Sequence, residues 1–184
     1  TRVFLDYRIK FMSTLKMPKV DRKILKDKDK IISNISSFVK RENILSDKEE
    51  LKPYETDALS AYKQVPMIVV LPETTQEVSK ILSYCNKNKI KVVPRGAGTG
   101  LAGSALPLAD CVLLGLGKFN KITEIDFKNR CVVAQPGVTN LSITNAVEEK
   151  GFYYAPDPSS QIACSIGGNV AENSGGVHSL KYGT

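Results

Sequence analysis

The stretch Val92-Val-Pro-Arg-Gly-Ala-Gly-Thr-Gly-Leu-Ala-Gly103 holds four glycines within eight residues and begins inside the apolar run 90–93. Glycine has no Cβ, so Gly96, Gly98, Gly100 and Gly103 can take positive φ and turn successive backbone N–H groups toward one concave face, the arrangement that holds a phosphate. Arg95 adds a fixed positive charge beside them. Gly98, Gly100 and Gly103 also satisfy G-x-G-x-x-G, the fingerprint of a nicotinamide-binding Rossmann unit. That fingerprint needs a helix to open at the third glycine, but here Pro107 stands four residues on and another β-like run, 111–116, follows. Asp126 imitates the ribose-binding acid of such a unit, yet two apparent strands precede it rather than one strand-helix-strand unit. No Rossmann unit is expected.

On the N-terminal side, the spacing predicts a strand over 67–71. Pro72 stops it, and Thr74-Thr-Gln-Glu77 forms a capping box that opens a helix with Val78, Ile81, Leu82 and Cys85 on one face. With 90–93 as the next strand, a β-α-β unit delivers the glycine stretch from a strand end. On the C-terminal side, strands are predicted over 111–116, 122–126 and 131–135, the last two joined by the turn Phe127-Lys-Asn-Arg130. Thr139 or Asn140 caps a second helix through Ile143, Ala146 and Val147, and Gly151 stands where a C-cap glycine would end it. Strands that alternate with helices and also pair as a meander indicate a mixed α+β or α/β domain.

The 184 residues carry a net charge of +7, and its distribution matters more than its size. Residues 1–52 hold 14 Lys/Arg against 8 Asp/Glu, whereas residues 53–184 hold 12 against 11. The excess lies in a basic leader, where Ile24, Leu25, Ile31, Ile32, Ile35, Phe38 and Val39 predict a helix over 21–40 with Asp21 as N-cap. Residues 41–62 read as loop. The expected division is a helical leader, 1–52, and a main domain, 53–184. No aromatic-rich basic stripe accompanies the leader, so no nucleic-acid partner is expected. No run of about 18 apolar residues would insert in a membrane, and no apolar signal core follows the basic start; a cytoplasmic chain is expected. The chain opens on Thr1, so the first segment reads as an upstream extension or a truncation scar. Cys85, Cys111, Cys131 and Cys164 are spread without a C-x-x-C pair and beside a single histidine, which argues against a metal site or a disulfide framework.

A second glycine cluster spans residues 154–183, with five glycines, two prolines and few large apolar groups. Small side chains at Ala163, Ser165, Gly167, Gly168 and Ala171 suit close approach to a large planar ligand, and Asp157, Ser159, Asn169 and Asn173 offer polar ends. Together the two segments suggest a cofactor with both a diphosphate and a flat ring.

Three ordered motifs carry a family resemblance: Pro94-Arg-Gly-Ala-Gly-Thr-Gly-Leu-Ala-Gly103, Gln135-Pro-Gly-Val-Thr-Asn140, and Ala155-Pro-Asp-Pro-Ser-Ser-Gln-Ile-Ala-Cys-Ser-Ile-Gly-Gly-Asn-Val-Ala-Glu-Asn-Ser-Gly-Gly176. They resemble the FAD-binding domain of the vanillyl-alcohol-oxidase type, also called PCMH-type. The likeness runs from about Pro18 to Thr184, includes Pro53-Tyr-Glu-Thr-Asp57, and is greatest to the glycolate oxidase, D-lactate and D-2-hydroxyglutarate dehydrogenase members. The resemblance implies an α+β fold, here the N-terminal half of such a domain, with a mixed sheet and flanking helices. It implies that Arg95, Gly96, Ala97, Gly98, Thr99, Gly100 and Gly103 wrap the FAD diphosphate. Pro156, Asp157, Ser159, Ala163, Ser165, Gly167, Gly168, Asn169 and Asn173 are then expected along the isoalloxazine and ribityl portion. The first loop has no histidine or cysteine, so non-covalent FAD is expected.

His178 is read as a structural histidine bonded to a loop carbonyl, with a general base as the alternative. Lys181 and Tyr182 are flavin-adjacent or surface residues, and Cys164 is a small packing residue. The implied parent reaction is hydride transfer from C2 of a small 2-hydroxy acid to flavin N5. Companion glycolate oxidase subunits, and peripheral membrane association through them, are implied as partners. Family members continue for several hundred residues with a substrate cap, so the chain is expected to be the N-terminal part of such an enzyme, with its catalytic residues elsewhere. The alternative is a non-catalytic truncated or split-gene remnant acting as a binding or assembly module.

Overall fold

A computed structural model describes residues 17–183. The expected character of residues 1–16, and Thr184, lie outside the described residues. Asp21 starts the first helix: its side chain accepts from the backbone N–H groups of Lys23 and Ile24 and caps α1 (Arg22–Lys26). The single helix predicted over 21–40 is instead divided. Asp27, with ψ of 7°, leaves the helical conformation before α2 (Lys28–Ile35) resumes it. Aspartate competes with its own backbone for hydrogen bonds, so helix interiors disfavour it. Ile31 and Ile35 of α2, followed by Val39, are buried.

The segment 41–62, expected as loop, contains regular structure. β1 (Ile44–Leu45) adds a two-residue antiparallel edge to the sheet, and α3 (Lys48–Leu51) is a single turn closed by a capping box between Asp47 and Glu50. Next come β2 (Ile68–Val70), α4 (Thr75–Lys87), β3 (Lys91–Arg95) and β4 (Cys111–Gly115). Thr74 Oγ1 accepts from Glu77 N, and the Glu77 carboxylate reaches back to Thr74 N, so the predicted box is present; such caps contribute about 1 kcal/mol.

The sheet order is β1-β2-β4-β3, with β2, β4 and β3 parallel. β4 therefore lies between the two strands of the β-α-β unit and is buried at all five positions. A strand covered on both faces reads as an unbroken apolar run, as Cys-Val-Leu-Leu does. One face packs Ile68, Val70, Val112 and Leu114 against Ile81 and Cys85 of α4 and against Ile31, Ile35, Val39 and Ile44; the other packs Val69 and Leu113 against Leu51. The basic leader thus shares a core with the sheet. Each fully buried aliphatic side chain stabilises this core by roughly 1.5–3 kcal/mol.

No helix lies between β3 and β4, as Pro107 required. β5 (Ile122–Asp126) and β6 (Cys131–Ala134) form a separate antiparallel pair rather than extending the first sheet. Thr139 caps α5 (Asn140–Val147), and Gly151 takes φ of 76° at the end of the following turn. Within the second glycine-rich stretch, two short helices appear, α6 (Ile166–Glu172) and α7 (Ser179–Tyr182). The architecture is α+β, with a mixed sheet and flanking helices. Among the described residues, no helix is long and apolar enough to cross a membrane.

Candidate functional site

A cavity of about 360 Å³ lies between the loop leaving β3 and the segment that carries α6. From the first segment, Arg95, Gly96, Ala97, Gly98, Thr99 and Gly100 line it. Ser165, Gly167, Gly168 and Asn169 line it from the second. Chain folding thus brings together ten of the sixteen residues expected at the site, across about 70 positions of sequence.

The glycines are needed chiefly where one segment packs on the other. A Cβ at Gly96 would lie 2.1 Å from Ser165 Oγ, and one at Gly100 would lie 3.1 Å from the Glu172 carboxylate. A Cβ at Gly167 would meet Pro136 at 2.6 Å, in the middle motif Gln135-Pro-Gly. Gly98 has φ of +74°, and a Cβ there would lie 2.4 Å from the Arg95 guanidinium. The second segment is itself tied to the start of α5: Asn140 N donates to Cys164 O at 3.1 Å and Ile166 N to Val138 O at 2.8 Å. Ser165 caps α6 by accepting from Gly168 N at 3.3 Å, and Gly167 N donates to Pro136 O at 2.8 Å, so the cap and tertiary ties together make part of the expected loop helical despite two glycines.

Arg95 is not held as a free charge. Its Nη1 donates to Thr56 O at 2.8 Å and to Ala105 O at 3.5 Å, and its guanidinium lies 5.8 Å from the centre of the Tyr54 ring. Burial lowers its pKa, while the charge of Asp57 and the nearby Tyr54 oppose that shift. Arg95 therefore braces the glycine loop against Tyr54-Glu-Thr-Asp57, a motif whose partner no local pattern reveals. Gly103, with φ of +77°, packs against Leu59 beside the same brace and does not line the cavity.

Five further expected residues also lie off the cavity. Asp157 pairs with Gly176 through the backbone, Asp157 N donating to Gly175 O at 3.0 Å and Val177 N to Asp157 O at 3.2 Å. Pro156 O accepts from Asn140 Nδ2 at 3.0 Å. Ser159 and Ala163 lie in the exposed turns before α6, and Asn173 ends α6 in the left-handed conformation. These residues shape the second segment from behind.

Ala171, expected against a planar ligand, also lines the cavity, and Pro94, Ser104, Ala105, Leu116, Pro136, Ser160, Cys164, Glu172 and Ser174 line it without having been expected as site residues. Most of them belong to the motifs already quoted, so neighbourhood to the glycines was the available signal. Asn169 is 7% exposed, and its Nδ2 has no hydrogen-bond partner among the described residues. A buried amide donor without an acceptor is costly, and this one borders the cavity.

His178 Nδ1 lies 2.9 Å from Ala155 O, the loop-carbonyl contact expected of a structural histidine. Its ring meets Tyr153 and Tyr182 edge-on, and the two tyrosine hydroxyls lie 3.0 Å apart. None of these three residues lines the cavity. Cys85, Cys111 and Cys164 are buried free thiols and Cys131 is an exposed one. Among the described residues, no group of three or more His, Cys, Asp or Glu side chains is placed to hold a metal ion.

Comparison with known proteins assigns the chain to one family. Residues 66–184 match the FAD binding domain family. Over 157 residues the chain is 52% identical to glycolate oxidase subunit GlcD of Escherichia coli (strain K12), which covers 85% of this chain and 32% of that protein. It is 36% identical over 155 residues to the mitochondrial D-2-hydroxyglutarate dehydrogenase of Arabidopsis thaliana, covering 84% of this chain and 28% of that one. Among solved structures, p-cresol methylhydroxylase with substrate bound shares the fold at a TM-score of 0.66 and 24% identity, over 84% of this chain and 30% of that one. The chain spans about a third of the length of the curated relatives it matches. The match over residues 66–184, on a fold shared with p-cresol methylhydroxylase, places the chain in the FAD binding domain family.

Proposed function

We propose that this chain is the FAD-binding portion of a flavin-dependent 2-hydroxy-acid oxidoreductase of the glycolate oxidase type. The observation that carries the cofactor site is the cavity shared by both glycine-bearing segments, with the buried Asn169 Nδ2 at its wall lacking an acceptor among the described residues. FAD fits these residues. Backbone N–H groups of the loop 96–100 suit the diphosphate, and the amide of Asn169 supplies a donor to a polar edge of the cofactor. Ser165, Gly167 and Gly168 form the opposite wall, while Arg95 keeps the loop in shape from behind. The first segment offers no histidine or cysteine for a covalent link, which supports non-covalent binding.

When bound, FAD supplies the acceptor for hydride from C2 of a 2-hydroxy acid. The names of the relatives, glycolate oxidase subunit and D-2-hydroxyglutarate dehydrogenase, support that substrate class, and the word subunit supports a parent assembly of several chains. This chain's own residues bind and orient the cofactor. Substrate recognition is assigned to the part of the parent enzyme beyond the matched third.

Complementation tests the reading. The FAD-loaded 184-residue chain is mixed with the C-terminal part of the Escherichia coli relative, and dye reduction is followed with glycolate, D-lactate and D-2-hydroxyglutarate. Reduction that depends on one of these acids is expected. Retention of FAD with no reduction by any of them would favour a binding module instead.

A further inference from the structure

Among the described residues, two charged side chains line the cavity, and they are deployed differently. The Arg95 guanidinium is engaged behind the loop by Thr56 O. The Glu172 carboxylate faces the loop itself: Ser104 Oγ donates to Glu172 Oε1, and both carboxylate oxygens lie within 3.3 Å of where a Cβ on Gly100 would stand. The first glycine loop therefore has the Arg95 cation against Gly98 and the Glu172 anion against Gly100, and the anion stands where the proposed ligand is a diphosphate. Two anions cannot share one set of donors without strong repulsion. Nor does helix stability account for the carboxylate, because Glu172 is the last residue of α6, the end that favours cations. Glu172 is exposed, and rotation about its unbranched side chain carries the carboxylate aside.

We propose that the Glu172 carboxylate is an internal occupant of the anion cradle, held by the Ser104 hydroxyl, and that an incoming diphosphate displaces it. Ser104 then donates to a phosphate oxygen, which adds a residue to the binding set. The Ser104–Glu172 hydrogen bond joins the two segments, so a ligand of higher charge parts that contact to reach the loop. This inference rests on the assignment of the FAD diphosphate to the first glycine loop.

The test compares FAD association and dissociation for the wild-type chain, Glu172→Gln and Ser104→Ala at low ionic strength, by quenching of flavin fluorescence, with folding checked by thermal unfolding. Glu172→Gln keeps the size and removes the charge; it is expected to bind FAD about tenfold more tightly, mainly through faster association. Ser104→Ala is expected to speed association, because Glu172 loses its anchor, and also to speed dissociation, because the phosphate loses a donor. If Glu172→Gln does not fold, Glu172→Ala carries the same expectation. Binding by Glu172→Gln that is unchanged or weaker than that of a wild type that binds FAD overturns the displacement. A folded wild type and folded variants that all fail to bind FAD overturn the cofactor assignment itself.

Discussion

The mixed sheet and the two glycine-bearing segments meet at the C-terminal end of β3, and they are built by opposite means. In the sheet, stability comes from side chains: Val112 and Leu113 are fully buried because flanking strands and both faces exclude water. Around the cavity, structure comes from missing side chains: Gly96 and Gly167 let Ser165 and Pro136 approach to distances that any Cβ would block. The core tolerates no loss of volume. The site tolerates no gain. A substitution should therefore be sorted by region before its chemistry is considered.

Leu113→Ala is expected to have the largest effect, costing about 2–5 kcal/mol as a core cavity, and to abolish cofactor binding only through unfolding. Urea denaturation measures the loss, and a change under about 1 kcal/mol would mean that the sheet is not the stability centre. Gly98→Ala should separate the regions most cleanly. Its φ of +74° and its closeness to Arg95 put about 1–3 kcal/mol of strain on the binding geometry, which the surface loop relieves by shifting out of it. FAD affinity is expected to fall about tenfold to a hundredfold, with urea unfolding of the core little changed; equal losses in both would dissolve the distinction.

Arg95→Lys comes next. A single ammonium cannot reproduce the guanidinium's contacts with Thr56 O and the face of Tyr54, so a loss of roughly 1 kcal/mol in binding is expected by flavin titration. Affinity equal to wild type would show that charge alone suffices. The smallest effect concerns Glu73 at the sheet end. Hydrogen bonds from Lys118, then Lys40 and Asn43, hold its carboxyl down at about 2. A depressed carboxylate adds stability above its unfolded value, here 4.5, and that stability is lost as pH falls toward 2. The network is solvent-accessible, so the change is small. Tm is expected to fall less steeply between pH 4.5 and 2 in Glu73→Gln than in wild type; parallel curves would remove Glu73 as a contributor.

What the amino-acid sequence revealed divides along the same line. Local signals located the elements: the Thr74–Glu77 box opens α4, residues 122–126 form β5, and Thr139 caps α5. β1 was missed because two residues carry no periodicity, although Asp47-x-x-Glu50 announced the turn after it. α6 was missed because Gly167 and Gly168 argue against a helix that Ser165 and tertiary contacts support. The glycine loop and the motif family were legible as chemistry. Their assembly was not: Gly96 meets Ser165 and Arg95 meets Thr56 across long stretches of chain, and no local pattern encodes such meetings. Asp157 illustrates the limit, since an acid in the right motif is placed as a backbone brace outside the cavity.

The most direct test is to isolate the 184-residue chain, take its visible absorption spectrum, and identify what is released on denaturation. A flavin spectrum, FAD in the supernatant, and a Tm that rises when excess FAD is added are the expected result. A chain that unfolds cooperatively, retains no flavin and gains no Tm from saturating FAD would contradict the claim that these two segments form a binding site on this core.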